Sequence, residues 1–207
     1  SIATAADGPV AEGNVGAGTG TACFGFKGGI GTASRQAAVG FTVGALVQTN
    51  FGERPDLTIL GVPVGRHLMQ DRLPETGPGS VVMVLATDAP LSARQLGRLT
   101  TRAIFGLART GTFCSNSSGD FVIAFSTAHR RRHYPSATVE TITRLPDENS
   151  QAMNALFLAV VESVEEAILN ALVAAETLSG RDDHVLHALP ADALHDLLTH
   201  YHRFPDE

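Results

Sequence analysis

The chain has 207 residues, 43% of them hydrophobic and 17% charged, with a formal net charge of −6. This is the composition of a globular domain with a sizeable core, and its acidic balance excludes the basic face of a nucleic-acid binder. No apolar run reaches membrane-spanning length, because the most hydrophobic stretch, Ala152 to Ala175, is interrupted by Glu162, Glu165, Glu166 and Asn170.

The first residues, SIATAADGPVAEGNVG, carry no initiator Met and no targeting signal. They read as the middle of something, either processed or a portion of a longer protein, so the compartment stays open between cytoplasm and periplasm. Glu12 to Arg35 is rich in glycine, and Val39 to Gly52 and Leu57 to Arg66 follow as short strands parted by glycines. His67 to Gly79, with Pro74 and Pro78, is expected to be an exposed loop. A buried strand starts at Ser80. After Pro90, Ser92 is the expected N-cap of a helix whose Leu96, Leu99, Ala103, Ile104 and Leu107 recur at helical spacing, with Gly111 as its stop. Phe121 to Ala128 reads as a buried strand. A long helix is expected from about Ser150 to Leu178, ended by Gly180, and a final amphipathic helix from Ala191 to Tyr201 behind Pro190. Strands come early and long helices late, which predicts a single α+β domain with sheets covered by helices.

Chemistry-bearing residues fall in few places. Gly16, Gly18 and Gly20 are spaced G-x-G-x-G and no G-K-[ST] follows, which excludes a P-loop and leaves a tight loop around a site. Cys23 and Cys114 are too few for a disulfide framework and are expected as packed thiols. His184, His187, His195, His200 and His202 complete no recognisable ligand set, so no metal is expected. His129 to His133 (HRRRH) is a local basic knot, read as a solvated loop or subunit contact, with a phosphate or carboxylate contact as the alternative. In NSSGD, Asn116 to Asp120, turn chemistry explains the composition; alternatively Ser118 and Asp120 project polar atoms towards one site. Gly79-Ser80 likewise reads as a turn into a strand or as a bond to be cut. A cut on the amino side of Ser80 would free an α-amine with a pKa of about 7.7–8.0. Nucleophile and base would then sit on one residue.

Several stretches decide between these readings. GPVAEGNVGAGTG, GFKGGIGTASR, GALVQTNFG, GSVVMVLATDAPLSARQLGRLTTRAIFGLARTG and SSGDFVIAFSTA resemble, in the same order, the β-aminopeptidase / L-aminopeptidase–D-amidase/esterase family from about Gly8 to Thr127. The resemblance implies a four-layer α/β/β/α sandwich of the N-terminal-nucleophile kind. It also implies self-cleavage at Gly79-Ser80, with residues 1–79 ending an α-chain and 80–207 forming a β-chain. In that family Ser80 matches the nucleophile, Ser118 and Asp120 the serine and acid beside it, and Asn50 the donor to the oxyanion. The implied substrate is a short peptide, amide or ester, β- or D-amino residues included, handled without a cofactor. The implied partners are the α-chain segment and further αβ units in a homo-oligomer, with no nucleic acid and no membrane. The resemblance also implies a long segment ahead of GPVAEGNVG that includes residues expected to bind the substrate amine; that segment is absent from this sequence. The rival readings are an uncut scaffold or binding protein of the same fold, and an ornithine-acetyltransferase-like acyltransferase, whose threonine nucleophile Ser80 speaks against.

Overall fold

A computed structural model of the chain describes residues 5–69, 79–116, 118–130, 133–134, 138–139, 141–145 and 151–204. The elements in order are β1 (Ala22–Cys23), β2 (Phe26–Lys27), β3 (Ile30–Gln36), β4 (Thr42–Asn50), α1 (Val64–His67), β5 (Ser80–Thr87), α2 (Ala93–Arg109), β6 (Gly119–Ser126), α3 (Gln151–Val173), β7 (Leu178–Ser179), β8 (Val185–Leu186) and α4 (Ala191–His200).

The main sheet has the order β3-β4-β5-β6. The pairs β3/β4 and β4/β5 are antiparallel and β5/β6 is parallel. A parallel pair needs a crossover, and α2 supplies it. That helix starts where the sequence announces it: Ser92 and Gln95 form a capping box, and Gly111 takes φ +105 just past the end.

Alternation along the strands sorts the side chains into two faces. Val43, Ala45 and Val47 of β4 and Val81, Met83 and Leu85 of β5 are buried, on the face that α2 and α3 cover. The helix α3 lies over β3 and β4, and its close approach requires a glycine: a Cβ on Gly31 would stand 1.8 Å from the Ala167 carbonyl oxygen. Outside this contact, Arg35 pairs with Glu162 and Glu166, and Arg109 with Glu165.

The opposite face is open among the described residues. Phe121, Ile123 and Phe125 alternate outward along β6 beside Val82 of β5, and Phe121 and Ile123 are 63% and 60% exposed. Phe121 to Ala128 therefore corrects the expectation of a buried strand: β6 is a strand, but one of its faces has no cover. The chain shows an α+β layering of one main sheet covered on one face by helices.

Two further expectations are corrected. Leu57 to Arg66 is not a strand. The turn Arg54–Asp56 precedes it, Ile59 and Val62 exchange backbone hydrogen bonds across a tight turn, and Pro63 leads into α1. The long helix stops at Val173, not Leu178. Asn14 holds the chain just beyond, its amide donating to the Glu176 carbonyl (2.8 Å) and its carbonyl accepting the Glu176 N–H (3.2 Å). Gly180, expected as the helix stop, belongs instead to the β7–β8 turn, which also carries His184. His67 to Gly79 as an exposed loop, Arg131 and Arg132 of the basic knot and the Ser150 helix start lie wholly or partly outside the described residues.

Candidate active site

At one end of the sheet the polar residues singled out in the sequence come together. The C-terminal residue of β4, Asn50, is the direct cross-strand partner of Ser80, the first residue of β5. On the other side of Ser80 its parallel partner is Gly119, the first residue of β6. Partners across a ladder share a face, so Asn50, Ser80 and Gly119 look onto the open side of the sheet. A Cβ on Gly119 would stand 3.3 Å from Ser80 Oγ, which puts the start of β6 in contact with the hydroxyl.

Ser80 is half-buried, and its Oγ donates a 2.8 Å hydrogen bond to the carbonyl oxygen of Gly79. The hydroxyl thus lies beside the carbonyl of the bond in question. Gly79 is required here by proximity: a Cβ would fall 2.8 Å from the Asn50 carbonyl oxygen and 2.9 Å from Phe51 Cα. Its φ is not in the left-handed region. The glycine is set by close packing against the chain that carries Asn50.

Asn50 has its amide orientation fixed. The backbone N–H of Ala22 donates to Asn50 Oδ1 at 3.2 Å, and only the oxygen can accept from an N–H. The Nδ2 donors are thereby turned elsewhere.

Ser118 and Asp120 are joined directly, Ser118 Oγ donating to Asp120 Oδ1 at 2.7 Å. Asp120 pairs with Val81 in the ladder, so its side chain leaves the sheet on the helix-facing side, and among the described residues no hydrogen bond links this pair to Ser80. The structure brings all four residues to one sheet end but as two groups, Asn50 with Ser80 and Ser118 with Asp120.

The sequence reading missed a fifth neighbour. Cys114, in the left-handed region at φ +55, hydrogen-bonds Asp120 through its thiol; burial, then the bond to Asp120 and its charge, push that thiol up to about 11. Cys23 is fully buried, and burial raises its thiol to about 12. Both cysteines are free, as expected, but Cys114 is more than packing. Among the described residues no group of three or more His, Cys, Asp or Glu is placed to hold a metal, and no helix is long and apolar enough to cross a membrane.

One end of the sheet thus carries an asparagine, a serine and a serine–acid pair, the residues that the family resemblance singles out. Comparison with known proteins agrees. Residues 1–186 match the model of peptidase family S58, and the chain belongs to that family. It is 44% identical to the β-peptidyl aminopeptidase BapA of Sphingosinicella microcystinivorans over 98% of its own length. Among solved structures it superposes on the L-aminopeptidase D-Ala-esterase/amidase of Ochrobactrum anthropi, described as a prototype for the serine aminopeptidases and a new variant of the Ntn hydrolase fold. There the TM-score is 0.87 and the identity 46%, over 97% of this chain and 55% of that one. A β-aminopeptidase of Burkholderia sp. gives a TM-score of 0.85 at 43% identity, over 99% of this chain and 58% of the other. The chain spans about half the length of the curated relatives it matches, 55% in the case of BapA.

Proposed function

We propose that this chain is the C-terminal part of a precursor that cuts itself between Gly79 and Ser80 and then acts as a serine aminopeptidase or amidase. The observation that carries the reading is the ladder pairing of Asn50 with Ser80 while Ser80 Oγ lies 2.8 Å from the Gly79 carbonyl oxygen. In the first step Ser80 Oγ attacks the Gly79 carbonyl carbon and the acyl group passes from nitrogen to oxygen. Water then hydrolyses the ester, leaving a Gly79 carboxylate and a free Ser80 amine and hydroxyl.

The freed amine, with an ordinary pKa of about 7.7–8.0, takes the hydroxyl proton as Ser80 attacks a substrate carbonyl. Asn50 Nδ2 donates to the oxyanion. The leaving amine takes a proton, and water resolves the acyl-enzyme. Ser118 hydrogen-bonds the new Ser80 amine, and Asp120 orients Ser118 and stabilises the charged amine; in the uncut chain that amine does not exist, which accounts for the pair standing apart from Ser80. The substrates are short peptides, amides or esters with a free N-terminal residue, β- or D-amino residues included, and the reaction draws on no cofactor.

The open face of the sheet supports the precursor reading. Val82, Phe121, Ile123 and Phe125 form the kind of apolar surface that packs against a second sheet. The remaining half of the protein supplies that layer, the α-chain stays bound to the β-chain after the cut, and αβ units assemble further.

The test is intact-mass analysis of the full-length protein beside its Ser80→Ala variant. The wild type is expected as two chains, one beginning at Ser80, and the variant as one chain without amidase activity. A wild type that hydrolyses amides as a single chain overturns the self-cleavage mechanism; an uncut, inactive wild type favours the scaffold reading.

A further inference from the structure

Lys27 is a buried cation that the reaction above does not use. It is fully buried, and its Nζ donates to three backbone carbonyls: Gly18 at 2.9 Å, Thr21 at 2.9 Å and Gly28 at 2.6 Å. No carboxylate pairs with it among the described residues. Burying an ammonium without a counter-ion is costly, and a neutral side chain would fill the volume with less desolvation. What the charge adds is found one peptide group away.

The Thr21 carbonyl and the Ala22 N–H belong to one planar peptide unit and point in opposite directions. On one side Lys27 Nζ donates to the Thr21 oxygen; on the other the Ala22 N–H donates to Asn50 Oδ1 at 3.2 Å. The chain of contacts therefore runs from the Lys27 ammonium through a single peptide group to the side-chain amide of Asn50. A cation on the carbonyl draws electron density from the peptide and strengthens its N–H as a donor. A stronger bond on Asn50 Oδ1 in turn makes its Nδ2 protons stronger donors, the cooperative effect expected of linked hydrogen bonds at low dielectric.

We propose that Lys27 is a positioning residue for catalysis, holding and polarising the amide of Asn50 through the Thr21–Ala22 peptide; this rests on the reading of Asn50 as the oxyanion donor. The same ammonium fixes the Gly16–Gly20 turn through the Gly18 carbonyl, so the Gly-rich stretch serves as the lysine's acceptor cage. Burial also lowers the Lys27 pKa below the ordinary lysine value.

The experiment is a double-mutant cycle in the full-length, processed enzyme, with kcat and KM measured on a short peptide amide. Lys27→Met is expected to lower kcat about 10-fold with KM nearly unchanged, less than the ~10²–10³ lost with an oxyanion donor itself. In an Asn50→Ala background the same substitution is expected to cost little more, because the group it acts through is gone. An equal loss in both backgrounds, or a folded Lys27→Met with wild-type kcat, overturns the proposal. Should Lys27→Met fail to fold, Lys27→Gln, which keeps a donor and drops the charge, enters the same cycle with the same expectations. A second measurement compares the NMR signal of the Asn50 side-chain amide in the wild type and in Lys27→Gln, where it is expected to shift. A signal that stays still sinks the link whatever Asn50 does, whereas full activity after Asn50→Ala sinks the oxyanion reading itself.

Discussion

The two ends of the main sheet carry the same kinds of residue and use them differently. At the far end, Thr42 N–H donates to Asp88 Oδ1 (2.7 Å), Thr87 Oγ1 donates to the Thr42 carbonyl (2.7 Å) and accepts from Ala89 N–H (3.1 Å), and Ser126 Oγ donates to the Ala89 carbonyl (2.6 Å). Every one of those hydroxyls and carboxylates bonds a backbone group of a neighbouring segment and sews the strand ends together. At the near end, among the described residues, the Ser80 hydroxyl bonds the carbonyl of its own preceding residue, and Ser118 and Asp120 bond each other. Residue type does not separate a seam from a site. What separates them is how far the polar groups are committed to closing the fold: at the near end Asn50 Oδ1 is so committed, by the Ala22 N–H, while the Ser80 and Ser118 hydroxyls bond their own neighbourhood.

If that distinction is right, damage at the near end costs rate and spares stability. The largest effect is expected at Asn50. Asn50→Ala removes an exposed side chain and its bond from the Ala22 N–H, which water can replace, so the melting temperature is expected to change little. The value of kcat is expected to fall about 10²–10³-fold, the usual cost of losing an oxyanion donor. A fall in stability with an unchanged rate would move Asn50 to the seam class. Gly79→Val comes next. Its Cβ would press on the Asn50 carbonyl and Phe51 Cα, both backbone atoms that cannot rotate away, and so would part Ser80 from Asn50. Self-cleavage, followed by gel or mass over time, is expected to slow about 10²-fold, as for a misplacement of about 1 Å. Cleavage at the wild-type rate would mean that the close packing at Gly79 has no part in the cut.

Which of this was legible in the sequence depends on how local the cause is. The helix α2 was readable from end to end because its cap, its apolar spacing and its terminating glycine lie within the segment. The end of α3 was not: it is set by Asn14, more than 150 residues away in sequence. The alternation in FVIAFSTA signals a strand but cannot say whether both faces have cover. Leu57 to Arg66 has strand composition, and Gly61 and Pro63 turn it. The site residues were named through family resemblance, since neither Gly-Ser nor Ser-x-Asp rises above turn chemistry alone. The geometry adds that Asn50 and Ser80 are register partners, 30 residues apart in the chain and beyond any local pattern. Lys27 within GFKGG and Cys114 gave no signal, because a buried cation and a thiol on a carboxylate are products of tertiary packing.

The smallest effect tests the seam. Thr87→Val keeps the shape of a buried side chain, 4% exposed, and deletes the hydroxyl that serves both Thr42 and Ala89. The Ala89 N–H loses its acceptor and the Thr42 carbonyl loses a donor, and because Thr42 is exposed, water replaces part of the loss. Destabilisation of about 1–2 kcal/mol is expected, within the range for a buried group left unpaired, and it would appear as a lower denaturant midpoint with an unchanged slope. The rate on a peptide amide is expected to stay within twofold or so of wild type, since the eight-residue strand β5 separates Thr87 from Ser80. A rate that falls in step with stability would mean that the two ends are coupled through β5, and the division between seam and site would have to be redrawn along the strand.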